Sequence, residues 1–252
     1  MLSKQQQNQF IRDGYLVLPN LLDEQELASL RAKTHEHLQE NIQPFERETD
    51  VHYPGAPESE DAPGGGTIRR LLQAYSRHQL YRSRAENSTV VDIIKSLLQA
   101  ESLYLTPNHH NCVMTKQPEF SSQTNWHRDT RYWHFSNKYL INAWYALGDE
   151  RVENGGMLLL PGSHRWDVNA GALDEDQFLL EDHPSNQARL SLSEQVDLQA
   201  GDCLLFSAHC FHAAGANNTD QAKFSLVYTY HSEKTLSLPS TKSSILPSIK
   251  IG

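Results

Sequence analysis

The rhythm of apolar and polar positions changes once along this chain, near residue 100. Before that point most apolar residues recur at helical spacing. Ser3 and Gln6 stand at capping-box separation and open a short helix that Gly14 should stop. Tyr15-Leu16-Val17-Leu18 reads as a strand closed by Pro19 and Asn20. Asp23 and Glu26 mark a second helix start, with Leu27, Leu30 and Leu38 as its apolar stripe. Helical spacing returns at Ile68, Leu71, Leu72 and Tyr75, and again at Val90 or Val91, Ile94, Leu97 and Leu98 after a Ser88-Thr89 start. Arg69 and Arg70 would then occupy an exposed helical face, or reach an anionic substrate. Residues 43–66 lose all periodicity and carry Pro44, Pro54, Pro57, Pro63 and the run Gly64-Gly65-Gly66. A loop of that length predicts a flexible flap beside a site.

From residue 103 the pattern becomes short and β-rich. Runs at 103–106, 111–116, 123–129, 139–147, 157–160, 196–198, 203–206 and 224–230 are separated by Gly, Pro, Asn and Asp. Helices first and strands afterwards predict an α+β chain. Its second part should be a jelly roll, the double-stranded β-helix of cupin-like barrels, with the N-terminal helices packed outside. Residues 1–252 are expected to form one domain: a mainly helical 1–100, a jelly-roll core at 101–231, and a tail at 232–252. The tail, Ser- and Pro-rich from Leu236, should lie over the surface or be unordered.

Composition narrows the function. A chain of 252 residues with a net charge of −9 is a poor nucleic-acid binder, because phosphate contacts need clustered Lys and Arg. No apolar run is long enough to span a bilayer, and the N-terminal residues lack a signal-peptide core. Cys112, Cys203 and Cys210 show no paired spacing, which fits a reducing compartment. A cytoplasmic protein with a small-molecule partner is expected.

The candidate chemistry starts at Asn125-Trp126-His127-Arg128-Asp129-Thr130-Arg131-Tyr132-Trp133. On a strand, alternation turns His127 and Asp129 to one face, close enough to share an ion. One imidazole and one carboxylate are two members of the facial triad that holds non-haem Fe(II). A third ligand belongs on a late strand, since antiparallel closure brings distant strands to one barrel mouth. Both His209 and His212 qualify, and spacing does not separate them. His109 and His110 are adjacent, would point to opposite faces of a regular strand, and read as packing or surface residues. His164, in a tight Pro-Gly turn, reads as structural.

An ordered set of motifs extends this reading. Phe10-x-x-Asp13-Gly14-Tyr15, His127-x-Asp129, Glu153-Asn154-Gly155-Gly156, Pro161-Gly162-Ser163-His164, and Gly201-Asp202 with Phe206, His212 and Asn217 follow one another. Together they resemble the phytanoyl-CoA dioxygenase family of Fe(II)/2-oxoglutarate oxygenases, over residues 10 to 231. The resemblance implies His212 as third ligand, with His209 in a turn or behind the ligands. It also implies 2-oxoglutarate as co-substrate, dioxygen as oxidant, and hydroxylation or a related oxidation of a small organic metabolite with release of succinate and CO2. Asp129 argues for oxygenation, because related halogenases lack that carboxylate.

Where the family usually places an Arg eleven residues after the last ligand, this chain has Lys223, followed by Ser225. A Lys pairs with a carboxylate but lacks the planar fork of Arg. The resemblance further implies that Trp144 lines the co-substrate pocket, and alternation puts Asn142 on the same face. Arg131, Tyr132 and Trp133 continue toward the expected entrance and are candidate substrate contacts. The rival expectation is a non-catalytic metal-binding jelly roll serving ligand binding or structure. Such a protein would have no use for a cation and hydroxyl at Lys223 and Ser225.

Overall fold

A strand that is apolar on both faces needs a cover on each side, and the strands of this chain that run through the core have both. The computed structural model describes residues 1–251. Its elements are α1 (Lys4–Asp13), β1 (Tyr15–Leu18), α2 (Glu24–Gln39), β2 (Phe45–Arg47), β3 (Ile68–Leu72), α3 (Ala74–Arg77), α4 (Gln79–Ala85) and α5 (Ser88–Leu98). There follow β4 (Leu103–Leu105), β5 (Asn111–Lys116), β6 (Thr124–His127), β7 (Leu140–Ala146), β8 (Met157–Leu159), α6 (Pro184–Leu190), β9 (Glu194–Val196), β10 (Cys203–Ser207), β11 (His212–Ala214), β12 (Lys223–Ser232) and β13 (Ile249–Ile251).

Two sheets result. The larger runs β1-β10-β7-β12-β5-β3-β2, with β4 paired to β12 and β13 paired to β4. The smaller runs β6-β11-β8-β9. Every named pairing is antiparallel, which is the jelly-roll arrangement of two facing sheets.

Side-chain alternation on the central strands decides what each layer holds. On β7 and β12, Ala143, Tyr145, Leu226, Tyr228 and Tyr230 pack outward against Leu27, Leu30, Val90 and Ile94 of the helices. Trp144, Ala146 and Val227 point the other way, against Met157, Leu159 and Val196 of the smaller sheet. Burial on both faces explains why β7 and β12 are covered along their whole length. The outer face of the smaller sheet has its own cover, in which Trp126, Phe211 and Leu160 pack with Leu179.

The helix starts follow the capping pattern. Ser3 and Gln6 form the reciprocal box, and Asp23 caps α2 through the Glu26 amide. Gly14 ends α1 at φ 82°, and His164 packs so closely there that a Cβ would lie 2.3 Å from its Nδ1. Only glycine meets both conditions.

Several expectations are corrected. Residues 68–72 are not helical. Ile68, Leu71 and Leu72 form β3, hydrogen-bonded between β2 and β5, because short apolar runs fit either period and long-range pairing decides. Arg69 and Arg70 are therefore strand residues, with Arg69 buried, rather than an exposed helical face. The first hundred residues accordingly give three strands to the larger sheet. Within 43–66, Phe45–Arg47 pairs with β3 and Pro54 O accepts from the Gln123 amide, so this segment is docked. The tail returns as β13, and Ser248 hydrogen-bonds His231. Exposed edge strands seek partners, and β4 offered an open edge. Gly252, the end of the expected tail, lies outside the described residues.

Candidate active site

β6 ends at His127, Arg128 stays extended at φ −107° and ψ 138°, and Asp129 opens a 3-10 turn through Arg131. One extended residue between them is enough to keep His127 and Asp129 on a common face. β11 lies beside β6 with His212 directly opposite His127. The three side chains meet between the sheets. Each offers a ligand atom, and these atoms lie within 4.8 Å of one another. His127 Nε2 and His212 Nε2 are 3.8 and 3.7 Å from Asp129 Oδ1. All three residues are buried.

Tautomers are fixed by the backbone. His127 Nδ1 donates to Asn125 O at 2.8 Å, and His212 Nδ1 to Cys210 O at 3.1 Å. Each Nε2 lone pair is thereby left facing the common centre, the arrangement metal-binding histidines need. Burial above all disfavours charge on both imidazoles. Burial alone would raise the Asp129 pKa, but the charge and hydrogen bond of His110 hold that carboxyl well below the usual range. Two neutral imidazoles and one carboxylate form a donor set suited to a divalent iron.

Asp129 is held from behind. Asn142 Nδ2 donates to its Oδ2 at 2.6 Å, and Thr229 hydrogen-bonds Asn142 Oδ1 in turn. His110 Nε2 approaches Asp129 Oδ1 at 2.8 Å. His110 is thus not a packing or surface residue. It precedes β5 in a turn, where strand alternation does not apply, and it stands at the edge of the triad. His109 turns away to Ser243 and stacks on Trp133. His209 lies in the β10–β11 turn and meets Thr130 at 2.7 Å, outside the cluster.

A cavity of about 90 Å³ leads from His127 and His212 past Trp144 and Met157 to a basic end with Lys223, Lys116 and Arg69. There Lys223 Nζ lies 3.0 Å from Glu150 Oε2, and Ser225 Oγ donates to Glu150 Oε1 at 2.7 Å. Trp144 Nε1 donates to the same carboxylate at 3.0 Å. Lys223, Ser225 and Trp144 are therefore brought together, but around a buried glutamate. Sequence reasoning missed Glu150, because Gly148-Asp149-Glu150 reads as a solvated turn. Asn142 shares their strand face and serves Asp129 instead.

On the other side of the triad a cavity of about 420 Å³ is lined by Arg131, Tyr132, Trp133, Tyr53 and Lys242. Arg131 leaves the strand with the 3-10 turn, stacks 3.8 Å from the Phe178 ring centroid, and donates to Tyr53 Oη at 2.9 Å. Tyr132 is half exposed and bonds Asp176. The three candidate substrate residues do face one space, and the 43–66 segment supplies Tyr53 to it.

Fold and donor set define a class: a jelly roll with a His-x-Asp…His cluster between its sheets. The phytanoyl-CoA dioxygenase (PhyH) family model matches residues 10–225. The chain belongs to that family. It is 27% identical over 239 residues to the ectoine dioxygenase of Stutzerimonas stutzeri, covering 88% of this chain and 74% of that protein. Among solved structures, the non-heme alpha ketoglutarate dependent carbocyclase SnoK from nogalamycin biosynthesis superimposes with a TM-score of 0.77 at 21% identity, covering 100% of this chain and 97% of that one. The epimerase SnoN, in complex with Fe3+, alpha ketoglutarate and nogalamycin RO, gives a TM-score of 0.73 at 25% identity, covering 94% and 86%.

Proposed function

We propose that this protein is an iron(II)- and 2-oxoglutarate-dependent oxygenase acting on a small organic molecule. The observation that carries the reading is the convergence of His127, Asp129 and His212, with both Nε2 atoms left free by backbone hydrogen bonds. These three would hold the metal on one face and leave its other positions to co-substrate and oxidant. When bound, iron(II) supplies the redox chemistry that couples dioxygen reduction and decarboxylation of 2-oxoglutarate, giving succinate and CO2, to oxidation of the substrate.

The chain's own part is placement. Asn142 and His110 orient the Asp129 carboxylate, and the Nδ1 hydrogen bonds hold both rings in register. The narrow cavity beside Trp144 and Met157 takes the 2-oxo acid, with Lys223 at its basic end. The wider cavity takes the substrate, with Arg131, Tyr132 and Trp133 as its walls. Structural relatives that share this fold are named as an epimerase and a carbocyclase.

We take residues 1–252 as a single oxygenase domain, since β1–β3 complete the sheet that β7 and β12 begin. The partner is a small metabolite rather than nucleic acid or membrane, in keeping with the acidic composition. Cytoplasmic residence is supported by three buried free thiols.

The test is direct. Purified protein supplied with Fe(II), 2-oxoglutarate and dioxygen should release succinate when a metabolite library contains its substrate, and His127→Ala should not. Metal binding without turnover of any 2-oxo acid across that library would instead favour the non-catalytic jelly roll.

A further inference from the structure

The wide cavity on the far side of the triad carries positive charge that its own walls do not neutralise. Leaving imidazoles aside, its lining holds three cations, Arg70, Arg131 and Lys242, and two carboxylates, Glu46 and Asp129. Both carboxylates are committed. Glu46 takes the Arg70 fork at 2.7 and 2.6 Å, and Asp129 belongs to the triad. Arg131 and Lys242 are left, and among the described residues neither forms an ion pair.

Arg131 is half-buried and held by uncharged partners. Its guanidinium lies 3.8 and 4.6 Å from the ring centroids of Phe178 and Tyr132, and donates to Tyr53 Oη at 2.9 Å and to the Asp176 carbonyl at 3.3 Å. The Asp176 carboxylate accepts from Tyr132 instead. These contacts fix the plane of the fork and leave its charge unmatched.

Lys242 arrives from the far end of the chain. It opens a 3-10 turn, Lys242–Ser244, between β12 and β13. Strand β13 alone would return the tail to the sheet, yet this turn is clamped separately to the cavity wall. Ser243 is buried, and its hydroxyl meets His109 Nε2 at 2.7 Å and accepts from the His134 amide at 2.8 Å. Asn108 Nδ2 donates to the Ser243 and Leu246 carbonyls at 3.0 and 2.7 Å, and the Leu246 amide donates back to Asn108 Oδ1 at 3.0 Å. Chain ends without a role are normally poorly fastened. Here the fastening presents Lys242, with Ile245 and Leu246, to the same space as His127 and Asp129.

Resting on the oxygenase reading above, we propose that the substrate is a small organic anion whose acidic group is received by Arg131 and Lys242, with its carbon skeleton against Trp133 and Tyr132. A cavity of about 420 Å³ suits one such molecule. Arg131 keeps N–H donors beyond those used by Tyr53 and Asp176, and exposed Lys242 adds a point charge at the rim. The C-terminal turn is thereby part of the substrate site, and Lys242 selects for charge.

The experiment is anaerobic calorimetry on the full-length protein loaded with Mn(II) and 2-oxoglutarate. The probes are small carboxylates, sulfonates and monophosphates, each paired with its neutral amide or full ester, and a matched set of amines. The tightest acid should bind at least about tenfold better than its neutral partner, the effect of a hydrogen bond to a charged group. Arg131→Gln should weaken that acid roughly 3- to 10-fold, less than a buried pair because the site is partly open. Lys242→Met should weaken it roughly 2- to 5-fold, as for an exposed ion pair, and Lys242→Arg should restore it. The double variant Arg131→Gln/Lys242→Met should bind the acid no better than its neutral partner, while its retained Mn(II) binding shows an intact fold. Neutral compounds or amines that bind as tightly as the acids overturn the assignment, as does a panel in which no acid binds, or a double variant that binds the acid normally. If the unaltered protein takes up Mn(II) and 2-oxoglutarate but, with iron and air, releases succinate only with neutral or cationic compounds, the oxygenase reading stands and this assignment falls. If it binds neither metal nor 2-oxoglutarate, both fall.

Discussion

The Lys223 ammonium lies 3.0 Å from the Glu150 carboxylate, and both groups are shut away from solvent. Ser225 and Trp144 complete the environment of that carboxylate with two further hydrogen bonds. Three side chains that a linear reading would spread around a ligand are organised by a fourth.

Breaking this pair from one side should be costly. Lys223→Met leaves a buried carboxylate with neutral donors only, and removing one partner of a buried pair costs roughly 3–5 kcal/mol. Urea denaturation should show a loss of that order. Lys223→Met/Glu150→Gln should recover most of it, since the amide oxygen still accepts from Ser225 and Trp144. A single variant as stable as the unaltered protein would mean that the pair is not formed in solution.

The ligand histidine can be separated from its neighbour three residues earlier. His212→Ala, like His127→Ala and Asp129→Ala, should lower Fe(II) or Mn(II) affinity by more than about 100-fold, beyond what loss of a supporting hydrogen bond produces. His209→Ala, whose ring meets Thr130 outside the cluster, should bind metal normally. Titration under nitrogen, followed by calorimetry, reads both.

Support behind Asp129 should be visible without touching a ligand. Asn142→Ala removes the 2.6 Å bond to Oδ2 and leaves Thr229 unpaired in the core. Metal affinity should drop roughly 10- to 100-fold, as for other residues that orient a metal ligand. Asn142→Asp places a second carboxylate beside Asp129 and should be worse than the alanine.

Proton linkage at Lys116 gives a pH signature. Burial, then the charges of Lys223 and Arg69, push its ammonium down to about 7, against the opposing pull of Glu48 and Glu150. The folded group releases its proton near pH 7, whereas the unfolded one keeps it to the ordinary lysine range. Between those limits the unfolded state binds more protons, so this group's contribution makes the ligand-free protein more stable as pH rises from 7 toward 10. Urea denaturation of the ligand-free protein at pH 7 and pH 9 should show this rise in the unaltered protein and a smaller one in Lys116→Met.

Substrate contacts can be tested apart from the co-substrate. Trp133 stacks on His109 at 4.7 Å, and Arg131 is held over Phe178. Once a substrate is in hand, Arg131→Ala and Trp133→Ala should raise its KM several-fold, each by the equivalent of about 1 kcal/mol for a lost stacking or polar contact. The KM for 2-oxoglutarate should stay unchanged.

What the sequence could determine by itself was local or recurrent. Capping at Ser3 and Asp23, the αL stop at Gly14, the β-rich second half and the shared face of His127 and Asp129 each depend on neighbouring residues and backbone period, which a linear string contains. The ordered motifs placed the chain within its family. Tertiary structure alone decided the rest, because each remaining point turns on pairing between distant segments. Ile68 to Leu72 became a strand only when β2 and β5 supplied its hydrogen bonds. For His212 the motifs had already given the preference over His209, and β11, by setting it opposite His127, supplies the physical reason. His110 came to Asp129 from a turn with no periodicity to betray it. Glu150 looked like a surface acid until folding buried it between Lys223 and Trp144. The charge balance of a closed cavity, unlike the charge of a chain, exists only after the walls have met.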